Sequence, residues 1–324
     1  MPHPAAVLPQ RNGRRISFRG CIKKQEETMK KNIYDTMIIG PLSLDIMIDC
    51  HDHEDRLTGG AVIQSGYAAA NIGGRTAVFT KLNPADADVY DAFKNCPADI
   101  YWKPSAHTTS IRNKYFTEDK ETRECTLISK SDAFSFEEFP PVETKIYHFA
   151  GLTYGDFPDD LFEKAAGKGK VAVDVQCLLR HGEPDGSMKF YDWDGKKKYL
   201  PYIDFLKTDA AEAKILTGTD DRKQAAKILH DWGAKEVVIT HNTEVLAYDG
   251  NSCCVSPIKA RSLAGRTGRG DTTFAGYLVG RLNHSMKDAL LFATALVSLK
   301  METPGPFCGT REDVEQYIRE FYTE

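Results

Sequence analysis

The stretch Thr267-Gly268-Arg269-Gly270-Asp271-Thr272-Thr273-Phe274-Ala275-Gly276 decides how this chain reads. Two glycines precede an acid, and a helix then begins, with Phe274, Leu278 and Leu282 on one face. Glycines let backbone N–H groups turn inward and approach a ligand closely. A helix N-terminus adds aligned donors and positive potential. Together they make an anion hole for a group that gathers negative charge as it is transferred. Asp271, at that helix start, can accept a proton from an attacking hydroxyl. The plainer reading is a Gly-rich turn with Asp271 as an N-cap or first-turn acid. A P-loop is excluded, since no GxxxxGK[ST] occurs in the chain.

Outward from this stretch, strands alternate with helices. Thr36–Ile39 reads as a short strand ending at Gly40-Pro41, and Ala77–Thr80 as another. Ala61–Ile72 reads as an Ala-rich helix entered from Gly59-Gly60. Ile146–Ala150, Val171–Val175 and Val237–Thr240 are compact apolar runs typical of strands buried on both faces. Arg222–Trp232 is a helix closed by Gly233. Ser285 with Asp288, and Thr310 with Asp313, are capping boxes opening the last two helices. This alternation predicts a mostly parallel sheet covered on both faces. Thr109–Phe116 and Thr122–Ser129, joined by the charged turn Glu118–Glu121, read instead as a hairpin. A small β lid is therefore expected over roughly residues 97–135. Residues 1–28, with their prolines and basic run, are expected to be a disordered leader or an over-extended gene start, with Met29 as the natural one. Residues 29–324 would then form the working domain.

Composition bounds the function. A net charge of -4 argues against nucleic acid as the main partner. The longest apolar run, Ala289–Leu299, is too short to span a bilayer. The 8 cysteines show no CxxC pair, so they read as reduced thiols, and a cytoplasmic location is expected.

Several segments, taken in order, resemble the ribokinase-like carbohydrate kinases, the PfkB family. The family's C-terminal signature reads roughly D-T-x-G-A-G-D before a helix, and this chain has Gly265-Arg266-Thr267-Gly268-Arg269-Gly270-Asp271. Gly265, Arg266 and Arg269 depart from the pattern. Gly40-Pro41-Leu42-Ser43-Leu44-Asp45 resembles the first-strand exit, whose acid binds substrate hydroxyls; the plain alternative is a solvated strand-end acid. Gly59-Gly60 with Gln64 resembles the N-terminal glycine pair and its helix, where Gln64 stands for the usual Asn or is merely a polar helix position. Asp209-Ala210-Ala211-Glu212 resembles the N-x-x-E segment, whose Glu helps position magnesium; it also fits a capping box. Val237–Thr240 resembles the strand entering the nucleotide loop, with Asn242 and Val245 in place of that loop's glycines. Asp174-Val175-Gln176 resembles a segment of the family's inositol kinases, and Arg180 after it reads as a solvated arginine.

The resemblance implies a three-layer α/β/α fold with a mostly parallel central sheet and a β lid. It implies phosphorylation of a hydroxyl of a sugar or polyol by magnesium ATP. Asp271 would be the catalytic base, with Gly268, Arg269 and Gly270 forming the anion hole. Asp45, Gly59, Gly60 and Gln64 would bind the substrate. Asp209, Thr240, Asn242 and Arg266 would bind the donor, and Glu212 the Mg2+. Many relatives bind a monovalent cation through the acid replaced here by Gly265, so Arg266 or Arg269 is expected to do part of that work. A homodimer through the lid is a further expectation, as is the absence of nucleic-acid and membrane partners. The alternatives are a nucleoside or inositol kinase, or a regulatory binding protein without turnover on the same fold.

Overall fold

The computed structural model describes residues 33–118 and 123–322. The expected leader, residues 1–28, lies outside the described residues, as does most of the turn between the two lid strands. Fifteen strands are described. They are β1 (Ile33–Ile39), β2 (Ser43–Ile48), β3 (Glu54–Gly59), β4 (Thr76–Leu82), β5 (Asp99–Pro104), β6 (Ser110–Tyr115), β7 (Arg123–Ser129), β8 (Glu143–Phe149), β9 (Lys170–Asp174), β10 (Arg180–Gly182), β11 (Met188–Phe190), β12 (Phe205–Asp209), β13 (Glu236–Thr240), β14 (Glu244–Tyr248) and β15 (Cys253–Pro257). The helices used below are α1 (Ala61–Asn71), α2 (Asp160–Ala166), α3 (Ala210–Thr217), α4 (Arg222–Asp231), α5 (Arg269–Arg281), α6 (Met286–Lys300) and α7 (Arg311–Phe321).

The central sheet runs β15-β14-β13-β12-β9-β8-β1-β4-β5. β13 pairs parallel with β12, β12 with β9, β9 with β8, β1 with β4 and β4 with β5. β14 and β15 close one end antiparallel. Apolar residues at every position of the inner strands feed both faces, because successive side chains point to opposite sides. Val171 and Val173, like Val237 and Ile239, enter a core with Leu161 and Phe162 of α2, Leu216 of α3 and Leu229 of α4. Their neighbours Ala172 and Val238 pack on the other face against Phe274 and Leu278 of α5 and Leu290 of α6. That alternation makes the three layers.

A second, four-stranded sheet has the order β3-β2-β6-β7. The hairpin of β6 and β7 is where the sequence places it, but its partners are β2 and β3 from the N-terminal side. Asp99–Pro104, inside the range expected for the lid, is instead the edge strand β5 of the central sheet. Its Ile100 and Trp102 pack against an inner core, which an outlying lid strand could not offer. No helix among the described residues is long and apolar enough to cross a membrane.

Candidate active site

Strand ends on one side of the central sheet, the start of α5 and the inner face of the lid surround two adjoining cavities. One, of about 650 Å³, is lined by Lys207, Asp209, Thr240, Arg266, Arg269 and Gly270, among others. The other, of about 140 Å³, is lined by Asp45, Gly59, Gly60, Gln64, Asn113 and Arg180, among others. Asp271, Gly268, Thr267, Gln176 and Arg123 line both. The first is called the outer cavity and the second the inner one.

α5 opens at Gly268, whose left-handed φ of 75° suits only glycine well. A Cβ there would also come within 2.4 Å of the Gln64 side chain. No side chain caps this helix start, so its first N–H groups are left for a ligand. Asp271 stands in that first turn. Burial and the nearby Asp174 carboxylate push its carboxyl up to about 6, against the pull of Lys207, Lys300 and Arg180. The acid at the junction of the cavities is thus tuned toward neutral pH, as a general base requires.

Beneath the anion loop, Lys207 of β12 is buried and paired with Asp174 at 2.8 Å. A Cβ on Gly270 would lie 3.0 Å from the Lys207 Nζ, so glycine lets the loop settle on the ammonium. Burial works against the Lys207 charge, but Asp174, Glu212 and Asp271 outweigh it and raise its proton affinity.

Asp209 and Glu212 form the capping box of α3. The Asp209 N–H donates to Glu212 Oε2 and the Glu212 N–H to Asp209 Oδ1, each at 2.8 Å. Glu212 is buried, and burial raises its pKa. Its carboxylate is engaged in the cap, whereas Asp209 also reaches the outer cavity wall. Thr240 is buried at the end of β13 and lines the same wall. Asn242 accepts a hydrogen bond from Arg269 at 2.8 Å. Val245 proves to be a fully buried residue of β14, opposite Thr240, in a hairpin closed by the His241 N–H to Glu244 O bond of 3.0 Å. The glycine that a wide nucleotide loop would need is missing because the chain turns back here.

In the inner cavity, one Asp45 carboxylate oxygen and the Gln64 side-chain oxygen are buried without a hydrogen-bond partner. Buried acceptors of that kind call for a donor from a ligand or water. Burial raises the Asp45 pKa, and Ser43, Arg180 and Arg123 oppose the rise. Gly59 is needed because a Cβ would meet Asp45 Oδ2 at 2.6 Å. Gly60, with φ 110°, starts α1 directly afterwards. Arg180 is not the solvated residue its sequence position suggests. It is buried and its Nε donates to Leu152 O at 2.8 Å. The short helix after Asp174 folds it back under the lid, where it faces the Asp45 charge.

Lys207, Asn113 and Arg123 line the cavities and were given no role by the sequence reading. Lys207 had a visible signal, a lysine inside the strand Phe205–Asp209. Asn113 and Arg123 had none, since their place depends on how β6 and β7 dock on β2.

The chain matches the family described as pfkB family carbohydrate kinase over residues 55–309. It is 26% identical over 260 residues to a cytidine kinase of Thermococcus kodakarensis, covering 76% of this chain and 88% of that one. A solved pyrophosphate-dependent kinase in the ribokinase family, complexed with a pyrophosphate analog and myo-inositol, is 34% identical with a TM-score of 0.79. It covers 87% of this chain and 99% of its own. The ribokinase of Arabidopsis thaliana, complexed with ribose and ATP, shares the fold at 17% identity, TM-score 0.67, over 89% of this chain and 99% of its own. With a two-cavity site around Asp271 and a family match spanning most of its length, the chain belongs to the pfkB family of carbohydrate kinases.

Proposed function

We propose that this kinase transfers a phosphoryl group from inorganic pyrophosphate to one hydroxyl of a cyclic polyol of the myo-inositol kind. The observation that carries the donor is the outer cavity. Four cations, Lys207, Arg123, Arg266 and Arg269, line it beside the carboxylates Glu118, Asp174, Asp209 and Asp271, while the β13–β14 hairpin closes tightly at its edge. Three arginines and a lysine at one polar cavity suit a compact polyanion, and the carboxylates suit the metal that would come with it. The pyrophosphate-dependent relative, at 34% identity, supports the same reading. Magnesium ATP, expected from the family resemblance, is the competing donor.

The acceptor side supports a polyol. Asp45, Gln64, Asn113, Gln176, Arg123 and Arg180 surround the inner cavity with donors and acceptors on several sides. Such a wall matches a ring bearing hydroxyls all round better than a flat base. Asp45 accepts from neighbouring hydroxyls and orients the ring. Asp271 takes the proton of the attacking hydroxyl. The N–H groups at the start of α5, with Lys207, stabilise charge on the phosphoryl group in passage. Arg266 and Arg269 hold the leaving phosphate.

Among the described residues, no group of three or more His, Cys, Asp or Glu is arranged to hold a metal. Asp174 and Asp209, two of the carboxylates lining the outer cavity, would hold a magnesium ion brought with the donor. That ion would neutralise phosphate charge. The seven described cysteines are free thiols, which supports a reducing compartment such as the cytoplasm. Leu57 and Ile128, exposed on the two outer strands of the lid, support pairing of two copies there.

The test is product formation from myo-inositol, sugars and nucleosides with magnesium pyrophosphate or magnesium ATP. Phosphorylated inositol formed from pyrophosphate is expected. Turnover of cytidine with ATP alone would replace this reading, and tight ligand binding without turnover would favour a regulatory protein.

A further inference from the structure

The last residue of α6, Lys300, has no part in the chemistry above, yet its side chain runs inward and is 2% exposed. Its Nζ donates to Gly265 O at 2.6 Å and also to Thr267 O. Both carbonyls belong to the loop that leads into α5. Asp271, at the head of that helix, is a carboxylate whose charge it feels.

A trans peptide points its C=O and its N–H in opposite directions. Drawing the carbonyls of Gly265 and Thr267 toward Lys300 therefore turns the N–H groups of Arg266 and Gly268 away from it. Those two residues line the outer cavity. The loop also rests on the end of α6. The Gly265 N–H donates to Met301 O at 2.7 Å, and a Cβ at Gly265 would come within 1.9 Å of Thr303 O. Loop and helix end thus form one unit around a buried ammonium.

We propose that Lys300 is a built-in cation that sets the peptide orientations of the anion loop, a positioning residue for phosphoryl transfer that makes a bound monovalent ion unnecessary. The inference rests on reading the loop as the phosphate site. It differs from the sequence expectation, which gave this work to Arg266 or Arg269. The structure puts an ammonium from the end of α6 on the loop carbonyls of Gly265 and Thr267.

Three measurements test it, using magnesium pyrophosphate or magnesium ATP, whichever the wild-type protein turns over. First, wild-type turnover is expected to change less than about twofold when potassium replaces tetramethylammonium at fixed ionic strength, since a fixed donor set needs no ion. Second, Lys300→Met is expected to lower kcat by about thirtyfold or more and to weaken donor binding, with acceptor KM changed less than about twofold. Third, Lys300→Ala is expected to regain about tenfold in kcat with ethylammonium, which can refill the vacated site. Calorimetric titration of pyrophosphate and of ATP into wild type and Lys300→Met, without acceptor, reads the loop separately. A wrong acceptor would leave that difference in place. Strong potassium activation of the wild type would overturn the proposal. So would a Lys300→Met protein with normal kcat, or a folded Lys300→Ala protein that no cation rescues.

Discussion

Two buried lysines flank the start of α5, one beside Gly270 and one on the carbonyls of Gly265 and Thr267, and their partners make them different residues. Lys207 rises from the sheet and meets the full negative charge of Asp174 at 2.8 Å. Lys300 comes from α6 and meets two carbonyl dipoles. Both are nearly as buried as any apolar residue, at 5% and 2% exposure. Burial disfavours each charge. For Lys207 the surrounding carboxylates more than restore it, so its proton is held tightly. For Lys300 burial wins over the attraction of Asp271 and lowers its pKa to about 8. The cost of burying a cation is common to both, and partner charge decides which way each titrates.

The largest expected effect comes from the acid that both lysines serve. Asp271→Asn should cut kcat by at least about a hundredfold, as loss of a general base does. The same change should raise stability at pH 7 by about 1–2 kcal/mol, because a carboxylate held near 6 resists ionisation in the fold. Its raised pKa costs stability as pH climbs from the ordinary carboxylate value through about 6, and a neutral amide avoids that cost. A thermal melt of an inactive variant that is less stable than wild type would contradict this.

Next comes the comparison itself. Lys207→Met leaves Asp174 buried without its cation and should cost about 3–5 kcal/mol in denaturant unfolding. Lys300→Met leaves only carbonyls unsatisfied and should cost about 1–3 kcal/mol. Equal losses would mean that the carboxylate partner is not what separates the two.

The pH profile sharpens it further. Turnover should fall below about 6 as Asp271 gains a proton, and above about 8 as Lys300 loses one. Lys300→Arg should remove the alkaline limb where it remains active, since a guanidinium stays charged. Stability should rise with pH between about 8 and the ordinary lysine value, because there the unfolded chain binds more protons at Lys300. Lys207 should contribute nothing to either limb.

The smallest effect belongs to a cation in the open cavity. Arg269→Ala gives up the bond to Asn242 at 2.8 Å, in a place where water screens charge. A stability change of about 0.5–1 kcal/mol and a modest rise in donor KM are expected.

The fold was legible because its signals are local. Val171–Val175 and Val237–Thr240 declare buried strands by their own composition, and Ser285–Asp288 and Thr310–Asp313 declare helix starts. The placement of Asp271 in the first turn of α5 was legible for the same reason, since glycines and a helix start adjoin it in sequence. What stayed hidden depends on distant packing. Arg180 read as solvated because nothing near it shows that β10 folds under the lid. Strand Asp99–Pro104 fell inside the expected lid range because it lies close in sequence to the hairpin, and only its pairing with β4 places it in the central sheet. The stretch Ser298–Gly305 reads from sequence mainly as core, and only the return of the chain from Gly265 to Met301 puts a loop above Lys300. Val245 was noticed as a departure, yet its meaning appeared only when the hairpin showed it inside β14.

The contact of Gly265 with Thr303 has a consequence for how this sequence can change. A Cβ at position 265 would lie 1.9 Å from the Thr303 oxygen and 2.5 Å from its carbonyl carbon. Backbone cannot yield as a flexible side chain would. Restoring the family's acid at position 265 by a single substitution is therefore closed to this chain. The segment around Thr303 would have to move first, and Lys300 would then compete with any ion the new carboxylate recruited. An engineer seeking an ion-activated version would have to move the backbone around Thr303 as well as replace Gly265 and Lys300.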